Sequence, residues 1–299
     1  MKSLLPSGLR IAFLAPPQLA CCLPLSGEWA SLKFFDVTRG WARAATEAAF
    51  FRPELTYVVL DDAFDPHAIK ALPGFKVGMV TRPPHGKAGP WDLAGWRARG
   101  LDLITWFEPP PYGEENAAAM LPLPVDRARI KPPQLEHRGI VVPRWAAPAP
   151  WLMEKLCEHE EVIILEPQGS MERQLELLDA NGIFVCATYD ATSRLDPLPL
   201  QAMARGLLVI AMTDFPPLWG IEAEDDFLLR PEDKLLATID EVRRIPDTAR
   251  AVRMRAYQKV AEFFDADEVF QRLTFDMFLE LDAAKVVRPQ ARQNLRRVP

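Results

Sequence analysis

The stretch from Ser193 to Ala211, SRLDPLPLQAMARGLLVIA, reads as a loop, a short helix and a buried strand in immediate succession. Asp196-Pro197 sets a capping residue ahead of a proline whose missing N–H costs the first helical turn nothing. Gln201-Ala-Met-Ala-Arg205 supplies good helix formers, and Gly206 closes the helix as its C′ residue. Leu207-Leu-Val-Ile-Ala211 is then a continuous apolar run, the pattern of a parallel strand covered on both faces. A short helix running straight into a covered strand is half of the repeating unit of an α/β fold.

The alternation continues in both directions. Strands are expected at 10–15, 55–61, 76–81, 101–107, 119–125, 138–143, 161–166, 182–188, 207–213 and 226–230. Helices are expected at 31–50, 66–72, 92–99, 149–159, 170–180, 197–205, 232–244, 247–263 and 266–284. The implied architecture is α/β: two Rossmann-like domains with parallel sheets, right-handed crossovers placing the strand carboxyl ends of each sheet on one edge. The polar, proline-rich run 127–138 marks the junction, giving a first domain at 1–131 and a second at 132–284.

Composition permits this. The 299 residues are 49% hydrophobic and 25% charged, enough for two packed domains. A formal charge of -6 argues against a nucleic-acid partner. No run reaches membrane-spanning length. Lys2 and the apolar stretch to Cys21 imitate a signal peptide, but Arg10 and Pro16-Pro17 interrupt it, and Ile11–Ala15 reads as a first buried strand. Adjacent Cys21 and Cys22, with single Cys157 and Cys186, make no metal pattern and read as small apolar residues of a cytoplasmic protein. Many of the 29 prolines fall at expected strand ends, as stiff loops at the edge where open α/β sheets bind ligands. The tail 285–299 is basic without an acid, a solvated end or a tether to an acidic partner or anionic lipid surface.

Residues 193–211 resemble the nucleotide-sugar signature of retaining GT-B glycosyltransferases, E-G-F-G-L-P-L-L-E-A-M-A-x-G-x-P-V-I-A, in Ala202, Met203, Ala204, Gly206, Val209, Ile210 and Ala211. Val162–Glu166 is similar to that family's V-x-F-L-G strand, Gly182–Thr188 to its A-D-V-F-V-x-P-S strand, and 226–244 to its G-x-L-V-x-P-x-D ending. The resemblance covers roughly 138–245 and implies two domains facing across a cleft, with the last helix returning to the first domain. It implies sugar transfer from a nucleotide-sugar donor, in bacterial-type glycan biosynthesis, without cofactor or metal, to a glycan, lipid or protein acceptor. Ser193 and Gln201 stand where the family has its paired glutamates. One strand–helix unit precedes Val162 where the family has two, and the R-x4-K spacing that follows such a strand is not kept after Arg144.

On that resemblance the donor would be held by Arg144, Glu166, Gln168, Gly169, Thr192, Ser193, Arg194, Leu195 and Gln201. Arg194 is a bidentate phosphate ligand or a loop arginine paired with Asp190 or Asp196. Gln201 bonds a ribose hydroxyl or is a solvated helix residue. The backbone of Glu166–Gly169 would face the base, whatever its side chains. Pro197 and Pro199 remove two N–H donors from the turn that would cradle phosphate. Lys155 reads as buried mid-helix. Glu108 and His85 are candidate general bases after strands of the first domain, and Asp190 a substitute carboxylate. The eight tryptophans read mainly as core, with sugar stacking the alternative. The same pattern also suits a noncatalytic GT-B-like protein that binds a sugar nucleotide or a protein partner, or a sugar-nucleotide epimerase.

Overall fold

A computed structural model describes residues 8–25, 27–60, 64–80, 99–106, 118–120, 124–127, 130, 139–159, 161–167, 169–187, 196–215 and 220–277. Among the described residues, two wholly parallel sheets organise the chain. The first has six strands: β1 (Arg10–Ala15), β2 (Ser31–Asp36), β3 (Leu55–Leu60), β4 (Phe75–Val80), β5 (Leu103–Trp106) and β6 (Ala118–Met120), in the order β2-β1-β3-β4-β5-β6. The second has five: β7 (Ile140–Pro143), β8 (Val162–Leu165), β9 (Ile183–Cys186), β10 (Leu208–Ala211) and β11 (Leu228–Leu229), in the order β11-β10-β9-β7-β8. Every named pair is parallel.

Helices α1 (Trp41–Phe51) and α2 (Pro66–Lys70) belong to the first domain. In the second are α3 (Pro150–His159), α4 (Met171–Asp179), α5 (Leu198–Ala204), α6 (Leu235–Arg244) and α7 (Pro246–Phe263). A further helix, α8, runs over 266–277. Central strands such as β3 and β10 are buried at every position, as strands covered on both faces must be.

The expected helix at 31–50 is corrected. Its first part is strand β2, a turn follows, and α1 begins at Trp41 after Gly40, whose φ is 110°. That φ suits glycine and breaks a helix. Before it, Leu32 and Phe34 pack toward one face and Phe35 toward the other, the period of a strand. Val162–Leu165 lies directly beside β7 as the edge strand β8.

Among the described residues, three apolar clusters hold these layers. One lies between the first sheet and α1–α2, including Leu14, Trp41, Ala45, Val58 and Ile69. A second lies between the second sheet and α3, α6 and α7, including Val142, Leu156, Ile210, Leu235 and Val252. The third is continuous across both sheets, from Phe13, Tyr57 and Met79 through Phe264 and Phe270 to Val141, Phe184 and Val209. In it α8 packs on the first sheet: Phe270 meets Phe13 and Tyr57 edge-on at 5.2 and 5.0 Å, and Thr274 Oγ1 lies 2.9 Å from the Tyr57 hydroxyl. Burial pushes the Tyr57 phenol well up, so it stays a neutral hydrogen-bonding group.

The segment after β1 joins the two halves. Its 3-10 turn, Pro17–Cys22, buries Leu19, Cys21 and Cys22 and meets α4. The expected junction lies mostly outside the described residues. Just before it, Val125 exchanges hydrogen bonds with Phe264 and Ala266 at 2.7 and 2.9 Å. Arg127 stacks on Tyr257 with its guanidinium carbon 5.5 Å from the ring centre.

Candidate functional site

The carboxyl ends of β7, β8 and β9 and the approach to α5 form one edge of the second sheet, the edge where ligands bind in open α/β folds. Two corners of it are built differently.

At the first corner, Arg144 follows β7 and Glu166 follows β8, strands already in register, so their side chains meet. Arg144 Nε donates to both Glu166 oxygens at 2.9 and 2.8 Å, and Nη2 donates to Oε1 at 2.6 Å. The hydrogen bonds to Arg144 hold the Glu166 carboxyl below its ordinary range, and those to Glu166 hold the guanidinium above its own. Both side chains are exposed. The turn from Glu166 to Gly169 is closed by the Gly169 N–H on the Glu166 carbonyl at 3.0 Å. Buried Gln174 donates to the same carbonyl at 3.0 Å, and a Cβ at Gly169 would stand 3.1 Å from it. Small size is therefore the property position 169 needs. Next to Arg144, Trp145 is 42% exposed. Five residues after Arg144 stands Ala149, whose N–H is held by Glu232.

At the second corner, Asp196 Oδ1 accepts the Leu198 N–H at 2.9 Å, and Oδ2 accepts the Trp145 indole N–H at 2.8 Å. Burial pushes the Asp196 carboxyl up, against the pull of those two bonds. Pro197 and Pro199 offer no N–H, so the tip of α5 is already closed by a carboxylate of the chain itself.

One turn on, Gln201 is 1% exposed. Its Nε2 donates to the Cys21 carbonyl of the first domain at 3.1 Å, and its Oε1 accepts from Arg205 Nη1 at 2.6 Å. The Cys21 carbonyl takes a second bond from the Asp126 N–H at 2.9 Å. Arg205 Nε lies 2.9 Å from Asp179 Oδ1 as an ion pair off the hydrogen-bond axis. Burial lowers the Arg205 pKa, and the Asp179 charge opposes that. An amide is what this place demands, a donor toward a carbonyl and an acceptor toward a guanidinium. The solvated alternative for Gln201 is thereby corrected: docking of the segment after β1 encloses it.

Cys21 and Cys22 are buried with sulfurs 3.8 Å apart. The Cys21 contact first, then burial and the nearby Asp196 and Asp126 charges, push the Cys22 thiol up, so it stays protonated. Cys186 is buried in β9, while Cys157 is exposed on α3. Lys155 is exposed, correcting the buried reading: α3 buries Leu152 and Leu156, and Lys155 lies off that face with Nζ 5.4 Å from the Trp151 ring centre. His85, Glu108, Gln168, Asp190, Thr192, Ser193, Arg194 and Leu195 lie outside the described residues. Among the described residues, no three His, Cys, Asp or Glu side chains come together as metal ligands, and no helix is long and apolar enough to cross a membrane.

With this geometry in place, the likenesses to known proteins are informative. No family model and no curated protein matches the chain by sequence. Solved structures match it in fold. A sucrose-phosphate synthase from Thermosynechococcus elongatus matches with a TM-score of 0.57 at 12% identity, over 92% of this chain and 100% of its own. HepE of Anabaena, in complex with UDP and glucose, matches with a TM-score of 0.56 at 11% identity, over 90% and 99%. An alpha-glucosyltransferase in complex with UDP-glucose and DNA containing an abasic site matches with a TM-score of 0.54 at 10% identity, over 91% and 99%. The fold is the GT-B fold, two Rossmann-like domains in one chain.

Proposed function

We propose that this protein is a glycosyltransferase that moves a sugar from a nucleotide-sugar donor to a glycan, lipid or protein acceptor. The observation that carries the reading is the GT-B fold over nine-tenths of the chain, shared with solved structures that hold UDP, glucose or UDP-glucose. The donor lies against the second domain, between Glu166–Gly169 and the approach to α5. The reaction breaks the bond between the sugar and the diphosphate, so the charge that develops on the leaving group must be met. Glu166 already neutralises Arg144, and Asp196 closes the α5 tip. That task is assigned to Arg194, with Thr192 and Ser193 next to it in sequence, and the acceptor's proton to Glu108, His85 or Asp190. No metal enters this scheme.

A noncatalytic nucleotide-sugar binder is the second reading, favoured by the engagement of Gln201 and the α5 tip with the chain's own groups. One experiment separates the two. A thermal-shift screen of nucleoside diphosphates and their sugars identifies a donor, since a ligand at 100 times its dissociation constant stabilises by about 2.7 kcal/mol. The donor is then offered with candidate acceptors under mass spectrometry. Transfer of the sugar mass establishes the enzyme, binding with neither transfer nor hydrolysis establishes the binder, and stabilisation by no nucleotide overturns both.

A further inference from the structure

We propose that Trp145, with the Arg144–Glu166 pair beside it, is a carbohydrate-ring subsite. An uncharged ring bearing hydroxyls lies on the indole face while its hydroxyls bond Glu166 and Arg144. The inference rests on the glycosyl-transfer reading and deepens it by assigning the corner that recognises a sugar rather than a phosphate.

Three observations converge. The first is an exposed aromatic that is fixed in place. Trp145 is 42% exposed, yet its indole N–H is held at 2.8 Å by Asp196, a carboxylate whose burial is unfavourable and whose other oxygen is tied to α5. A large flat side chain held this way offers contact area without losing rotamer freedom on binding. The second is charge. Arg144 and Glu166 neutralise one another through three hydrogen bonds, so an anion brought here meets Glu166 and a cation meets Arg144. A hydroxyl both donates and accepts, and it can bond an acceptor-only carboxylate and a donor-only guanidinium in the same place. The third is position, at the carboxyl ends of β7 and β8.

Among the described residues, the other exposed large apolar side chains lack this combination. Phe50 is on α1, Ile245 and Phe263 lie at the ends of α7, and one face of Trp151 is covered by Lys155. Sequence reading names Arg144 and Glu166 but not Trp145, because the anchor of Trp145 lies 51 residues away.

The sugar bound here belongs either to the donor or to a glycan acceptor, and affinity measurements with UDP, UDP-glucose and maltose distinguish these sources. For a donor sugar, Trp145→Ala lowers UDP-glucose affinity at least fivefold and leaves UDP unchanged. For an acceptor sugar, it abolishes maltose binding and leaves both nucleotides unchanged. Trp145→Phe, which keeps a ring but not the N–H, recovers part of the loss in either case. Urea midpoints of both variants confirm that they fold. Wild-type affinity of Trp145→Ala for every ligand that the wild type binds overturns the subsite alone. Binding of none of the three by the wild type overturns the subsite, and the glycosyl-transfer reading falls with it where no nucleoside diphosphate or its sugar stabilises the protein.

Discussion

The two corners of the second sheet's carboxyl edge carry residues flagged by the same sequence pattern and use them in opposite ways. Around α5, Gln201 and Asp196 are satisfied by the chain itself: one holds the Cys21 carbonyl of the first domain, the other caps Leu198 and anchors Trp145. Around β7 and β8, Arg144 and Glu166 satisfy one another and Trp145 follows Arg144, all three exposed. A side chain in a ligand-binding position remains available to ligand only while no closer protein group claims it. The apolar turn Pro17–Cys22 docks on the second domain and makes that claim at Gln201.

The contrast can be broken by substitution, and the largest effect belongs to the buried corner. Gln201→Glu sets a carboxylate oxygen against the Cys21 carbonyl, and stability should fall by about 1–3 kcal/mol, the cost of a buried polar group left without its partner. Urea unfolding reads this as a lower midpoint at unchanged slope, and an unmoved midpoint would contradict the interdomain role. Asp196→Ala removes two hydrogen bonds but also a buried charge, so the loss is nearer 1 kcal/mol. In the same variant the polarisation of Trp145 emission should drop as the ring is freed.

The pH dependence of the corners has opposite sign. The Asp196 carboxyl is raised in the folded state, so its contribution is fully present below the unfolded carboxylate pKa and fades as pH rises through the folded one. The Glu166 carboxyl is depressed, so its contribution is present above the unfolded pKa and is lost as pH falls through the folded one. Urea midpoints against pH for Asp196→Asn and Glu166→Gln should therefore depart from wild type in opposite directions. The smallest effect is that of Arg144→Ala, which breaks the same exposed pair and should lower the midpoint only as slightly as Glu166→Gln does, while weakening sugar recognition.

Much of the fold is legible in the sequence because covered strands advertise themselves. Leu207–Ala211 reads as a strand from its apolar run alone, and β10 occupies 208–211. β2 escapes because it is an edge strand whose Lys33 and Asp36 break the apolar run, so the sequence pattern alone reads as a helix through Gly40. Arg144, Glu166 and Gly169 were within reach of sequence reading because residues just past parallel strands share an edge. The role of Gln201 was not, since its partner Cys21 is 180 residues away and the bond is to a backbone carbonyl that no pattern of side chains encodes. Asp196 reads locally as a helix cap, and its hold on Trp145 is a tertiary contact.

The division of the edge into a closed and an open corner is tested most directly by hydrogen exchange with and without saturating UDP-glucose. Added protection should fall on backbone amides of 144–146 and 166–170, with exchange at 19–23 and 201–207 unchanged. Protection centred on 201–207 with faster exchange at 19–23 would mean that the ligand displaces the first-domain turn to reach Gln201, and would contradict the account.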